Sequence, residues 1–232
     1  FEVDPISIAR RDLQIFLKRL RHAVKRPIRY FAVGEYGDKL SRPHYHVCIF
    51  GEDFTHDRYP WKRSKKGHLL YRSPTVEKCW RRGHSDVSVL TLENAGYTAR
   101  YCTKKVTGDK KDQHYTREIH GIEVPVQPEF LASSRRPAIG LGWIEKHWEE
   151  TFRNDSVIYK GKEYPVPRYY DTWLAANHPN VYDDIKSARA RALADQPRES
   201  GKRMYQAARA RDLKYKNLKR DFDNDSQDVL RP

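Results

Sequence analysis

Between Ser7 and Arg26 the apolar residues Ile8, Leu13, Phe16, Leu17, Leu20 and Val24 recur with basic residues between them, the spacing of an amphipathic helix. Ser7 is placed as its N-cap and Pro27 as its stop. Ile28 to Tyr36 is rich in aromatic and β-branched residues, Gly37-Asp38-Lys39 opens a turn, and alternation resumes from His44 to Phe50. The two segments are predicted to pair as a hairpin. In its second arm His44 and His46 project from one face. Whether Glu35 joins them depends on a register that sequence leaves open. Residues 51–84 are polar and basic and read as loop, whereas Ser85 to Leu92 alternates and is predicted as a strand. A helix opens at Glu93-Asn94, and its Tyr97 and Tyr101, four apart, share one face with Lys104 close by. Residues 130–140 read as loop. Leu141 to Phe152 is predicted helical, Val157–Tyr159 and Glu163–Val166 form a small hairpin, and Tyr169 to Ala176 is a short helix. Val181 to Phe222 reads as alanine- and arginine-rich helix broken at Gln196-Pro197.

A chain of 232 residues holds one α+β domain and an appendage. The division is expected as a nicking domain over 1–155 and a hairpin with a basic helical extension over 156–232. A formal net charge of +14 suits a polyanionic partner through phosphate neutralisation. Trp61, Tyr71 and Trp80 lie among Lys62, Arg63, Arg72, Arg81 and Arg82, which reads equally as a single-strand groove or as an insertion anchored by core aromatics. Cys48, Cys79 and Cys102 are widely spaced and are expected as reduced thiols rather than a zinc site or a disulfide frame. No apolar run reaches the ~18 residues of a membrane span. The chain begins at Phe1 and its sole methionine is Met204, so it is expected to be a fragment or a trimmed product.

The residue types define a chemistry. A divalent ion held by neutral imidazoles offsets charge developing on a phosphodiester. Glu35, added to His44 and His46, would complete an oxygen- and nitrogen-rich sphere suited to Mg²⁺ or Mn²⁺. A tyrosine hydroxyl is a nucleophile that stays attached, keeping the bond energy for rejoining, and Lys104 or Arg100 can assist it. A His-x-His strand is more often two surface histidines, and a Tyr-x-x-x-Tyr helix more often a core stripe. Their conjunction in order on a basic chain reverses that weighting.

His44-Tyr45-His46 and Tyr97-x-x-x-Tyr101-x-x-Lys104 resemble the paired-histidine and two-tyrosine motifs of the HUH endonucleases. The stretches Tyr30 to Gly37, Arg42 to His46 and Ser134-Arg135-Arg136-Pro137-Ala138-Ile139-Gly140 resemble the rolling-circle replication initiators of small single-stranded DNA phages of the Microviridae, specifically of the gokushovirus type. The likeness covers roughly residues 7–150. It implies an α+β, ferredoxin-like core with a central antiparallel sheet, plus a mostly helical C-terminal extension. It also implies nicking of single-stranded viral origin DNA by Tyr97 or Tyr101, with a 5′ phosphotyrosine link, a free 3′ hydroxyl and later rejoining, in the cytoplasm of a bacterial host. Glu35 matches the family's third metal ligand. Host polymerase or helicase are the implied protein partners, and no membrane is involved. Arg42, Arg100, Lys105, Arg135 and Arg136 flank the motifs and are assigned to DNA contact. Family members carry a Thr-rich strand ahead of the first helix, which this sequence is expected to lack. The competing readings are an HUH relaxase or tyrosine transposase, and an origin-binding module that does not cut.

Overall fold

The structure is a computed structural model that describes residues 6–37, 40–64, 67–101, 105–195 and 200–216. Helix α1 spans Arg10–Val24 and buries Leu13, Phe16, Leu17 and Leu20, a stripe at the expected spacing that contributes about 1.5–3 kcal/mol per side chain. It ends where Lys25 turns left-handed and returns its N–H to Arg21, two residues before Pro27. The predicted cap at Ser7 is not used. The N-cap is Ala9, with no side-chain cap, and hydroxyls from the sheet serve the approach instead: the Ile8 N–H donates to Tyr36 Oη and the Ala9 N–H to Tyr45 Oη. Ser7 Oγ accepts from the Gln127 N–H, tying the approach to a distant loop.

Strands β1 (Arg29–Tyr36) and β2 (Pro43–Phe50) form the predicted hairpin, and β7 (Phe130–Ser133) pairs on the other edge of β1, giving the antiparallel order β2-β1-β7. The loop expected at 130–140 therefore begins with a sheet strand. Alternation splits this sheet into two unlike faces. Tyr30, Ala32, Tyr36, Tyr45, Val47, Ile49, Phe130 and Ala132 join α1 in the apolar core. The opposite face carries Val33, Glu35, His44, His46 and Cys48.

The stretch predicted as loop over 51–84 is partly regular: β3 (Tyr59–Arg63) and β4 (Leu69–Arg72) form a ribbon, and α2 (Pro74–Trp80) follows. Ser73 caps α2, and Asp57 accepts from both the Ser73 hydroxyl and the Thr75 N–H. Trp80 packs edge-on to Phe16 and Tyr45 and is a core anchor. The strand expected over 85–92 is reduced to a single bridge between Val87 and Tyr71. Thr91, expected within it, instead caps α3 (Leu92–Arg100), accepting from the Asn94 N–H.

Beyond α3 come α4 (Lys111–His114) and the β5–β6 hairpin (Thr116–Ile119, Ile122–Pro125). The Val106 N–H donates to Tyr115 Oη, and the Tyr115 hydroxyl donates to the buried carboxylate of Glu129. Burial, reinforced by that carboxylate, pushes the Tyr115 phenol up to about 12.

The chain divides into two compact units at Ile139/Gly140, ahead of the expected boundary at 155. The second unit holds α5 (Leu141–Arg153), the β8–β9 hairpin (Ser156–Tyr159, Lys162–Pro165), α6 (Arg168–Asn177), α7 (Pro179–Ala194) and α8 (Gly201–Lys216). Ile144, Phe152 and Leu174 form its core. Arg189 on α7 binds Asp155 through two bonds of 2.7 and 2.5 Å and Asp171 at 2.9 Å, joining three parts of the unit. No helix among the described residues is long and apolar enough to cross a membrane.

Candidate active site

The open question of register is answered by the pairing of β1 with β2. Glu35 lies directly across from His44, and Val33 across from His46, so Glu35, His44 and His46 occupy neighbouring positions on one face. Glu35 is 2% exposed, and its Oε1 meets His46 Nε2 at 2.8 Å. The ring of His44 lies against Gly37, where an added Cβ would stand only 2.7 Å from Cε1. Tyr45, between the two histidines, points the other way into the core, where burial pushes its phenol up to about 12.

Helix α3 covers this polar face. Thr98, its buried residue, hydrogen-bonds the Cys48 side chain. Burial nonetheless pushes the Cys48 thiol up, so it stays a neutral packing group rather than a thiolate ligand. One turn along, Tyr101 is 3% exposed and stacks on the His46 ring with centroids 4.2 Å apart and planes at 13°. Tyr97 is half-buried and stands edge-on to Tyr101 at 4.9 Å. The hydroxyls of Tyr97 and Tyr101 are hydrogen-bonded to each other. The spacing of four places both phenols on one helical face, and the helix delivers that face to the histidine strand.

The structure thus brings together Glu35, His44, His46, Tyr97 and Tyr101. Lys104, like Cys102, lies outside the described residues. Arg100 and Lys105 are exposed at and beyond the end of α3, and Arg42 is exposed in the turn leading into β2. Arg135 and Arg136 are exposed after β7 and line a cavity of about 430 Å³. Sequence reasoning misses the parts that hold the site in place. Gly37 reads as a turn residue, and its contact with His44 depends on a register that sequence leaves open. The Tyr115–Glu129 pair that anchors the chain after the tyrosine helix gives no local signal at all.

Two imidazoles and one carboxylate are a donor set suited to Mg²⁺ or Mn²⁺, and their adjacency on the sheet fits that use. Among the described residues no three His, Cys, Asp or Glu side chains already stand at ligand geometry; Glu35 and His46 hold each other instead.

Residues 3–106 match the family model for the replication-associated protein ORF2. The chain is 34% identical over 198 residues to replication-associated protein VP4 of Bdellovibrio phage phiMH2K, covering 79% of this chain and 58% of that one. It is 35% identical over 164 residues to replication-associated protein ORF2 of Spiroplasma virus 4 (67% and 47%), and 29% identical over 170 residues to replication-associated protein ORF4 of Chlamydia phage 1 (70% and 40%). The chain spans about half the length of these curated relatives. No solved structure matches it. Through residues 3–106, the chain belongs to the replication-associated protein ORF2 family.

Proposed function

We propose that this protein initiates replication of a phage genome by nicking and rejoining single-stranded origin DNA through Tyr97 and Tyr101. The observation that carries the reading is the hydroxyl pair of Tyr97 and Tyr101 held against His46, with Glu35 behind it. A phenol attacks phosphorus poorly unless its proton is removed and the phosphate charge is offset. In the reaction one tyrosine loses its proton and its Oη–P bond forms as the P–O3′ bond breaks. The 3′ oxygen takes up a proton and leaves as a hydroxyl. The partner tyrosine's O–H stands in position to donate to the attacking oxygen as it gains charge. Rejoining is the reverse attack by a 3′ hydroxyl. With both phenols on one spot, the second can cut a fresh junction while the first still holds an end.

His44, His46 and Glu35 would hold a divalent ion, which supplies Lewis-acid stabilisation of the phosphate charge. The His46 ring, stacked under Tyr101, also fixes that phenol's orientation. Exposed Arg42, Arg100, Lys105, Arg135 and Arg136 supply phosphate contacts that position the strand without reading bases. Lys104 is assigned to charge stabilisation from its place in the motif after Tyr101. The setting is the cytoplasm of an infected bacterium, with the host polymerase extending the 3′ end.

The test is a denaturing gel of the protein mixed with an end-labelled, randomised single-stranded DNA library, in Mn²⁺ or in EDTA. A label migrating with the protein in Mn²⁺, lost only in the Tyr97→Phe/Tyr101→Phe double variant, is expected. An adduct that survives the double variant, or binding with no adduct under any condition, refutes the reading and leaves a DNA-binding module.

A further inference from the structure

The β3–β4 ribbon takes no part in the tyrosine site, and its surface is unusual for a structural element. Tyr59 and Trp61 are 46% and 47% exposed, on a strand whose other positions include Lys62 and Arg63. Pairing passes from Pro60↔Tyr71 to Lys62↔Leu70, so Trp61 is the extra residue of a bulge. Bulges re-aim a side chain; here the side chain is an indole turned to solvent. The Arg72 guanidinium lies 5.2 Å from the centre of that ring and is itself held by Glu77 at 2.5 Å, so it braces the indole. Arg58 sits 4.7 Å over Tyr71 in the same ribbon. Arg63 is exposed, its guanidinium on the Gly67 carbonyl. Lys62 is partly engaged by Asp86 at 3.4 Å.

The ribbon is also tied to the nucleophile helix. Tyr71 and Val87 exchange two backbone hydrogen bonds of 2.8 Å, and α3 starts at Leu92. Five extended residues span at most about 18 Å, and five helical residues to Tyr97 add roughly 7.5 Å. Strand β4 therefore meets the chain within about 25 Å of the attacking hydroxyls, a distance that a short single strand bridges.

We propose that Trp61 is a base-stacking platform for single-stranded DNA, with Arg63 on the adjoining phosphate. An exposed indole among cations matches an unpaired base beside its phosphate, since every base offers a π-face and every linkage a charge. The proposal rests on the reading of the chain as a protein that acts on single-stranded DNA.

The test is fluorescence anisotropy with a labelled oligothymidylate and a duplex of equal length, in EDTA so that no cutting contributes. Trp61→Ala is expected to weaken single-strand binding about tenfold or more, with an unchanged melting temperature and an unchanged dependence on salt. Trp61→Phe stays within about threefold because a ring remains. Arg63→Ala lowers the slope of log K against log salt by about 0.7. The duplex shows no dependence on residue 61. Wild-type affinity in Trp61→Ala, an equal loss on duplex, or equal losses in Trp61→Ala and Trp61→Phe with a lowered melting temperature overturns the proposal. So does a change of oligomeric state at constant DNA affinity, which would make the surface a protein interface. Absence of the covalent adduct with Trp61-dependent binding intact would sink the nicking reading alone.

Discussion

Gly37 separates the integrity of the sheet from the integrity of the site. Its N–H donates to the Arg42 carbonyl at 2.9 Å and its carbonyl accepts from the Ser41 N–H at 3.0 Å. A methyl group in Gly37→Ala would stand 2.7 Å from His44 Cε1 and 2.9 Å from Nδ1, where ordinary contact begins near 3.4 Å. The ring must therefore retreat by about 0.7 Å. His44 hangs on rotatable bonds, so the ring yields before the strand does, at about 1 kcal/mol of off-rotamer strain. A misplacement approaching 1 Å at a reacting centre costs up to roughly 100-fold in rate, so adduct formation is expected to fall by about 10- to 100-fold. Gly34→Ala is the matched control. Its Cβ would stand 2.6 Å from Phe130 Cε1 and 2.9 Å from Cζ, and that ring cannot retreat because it is 7% exposed, beside Tyr45 and under Arg10. Overpacking there is expected to lower stability by about 1–3 kcal/mol while the folded fraction still reacts. Single-turnover adduct formation and a thermal melt read both effects. Wild-type rates in Gly37→Ala would refute a working role for His44 at this position. A melting temperature lowered as far as in Gly34→Ala would refute the claim that the ring yields.

Glu35→Gln keeps an acceptor for His46 but removes the anionic ligand, so half-maximal adduct formation is expected to need about 10- to 100-fold more Mn²⁺; an unchanged Mn²⁺ titration places Glu35 outside the metal site. Tyr115 holds its proton more tightly folded than unfolded, so its contribution is full below pH 10 and is lost as pH rises towards its folded value of about 12. Urea denaturation at successive pH values should therefore show the stability difference between wild type and Tyr115→Phe shrinking by about 3 kcal/mol across that window. A constant difference refutes the buried-phenol account.

Where a segment carries its own period, the sequence is sufficient. The α1 stripe, the β1–β2 hairpin and the placing of Tyr97 and Tyr101 on one helical face follow from local spacing. The failures share a cause in long-range pairing. Phe130–Ser133 is four residues among Ser, Arg and Pro, and it becomes a strand because the free edge of β1, about a hundred residues earlier, accepts it. Val87 and Val89 alternate like a strand, but β4 meets that segment at Val87 alone, and Val89 is left 57% exposed. The ribbon is hidden for the opposite reason: its residues are basic and exposed, so no apolar alternation marks it. In the site, the histidine face is legible from period two. Glu35 joins it only through the register, which is a property of two strands and a turn rather than of any one residue.

The two faces of the sheet are closed with very different firmness. On one side α1 seats four buried apolar side chains. On the other a nine-residue helix, with Thr98 as its buried residue, covers the histidines through stacked rings and hydroxyls. Apolar burial resists local opening, and its scarcity permits it. The molecule is therefore built with a heavy wall and a light door. The reactive groups hang partly on the door, so displacing α3 by a small angle would widen the gap between phenols and histidines while the wall behind stays shut.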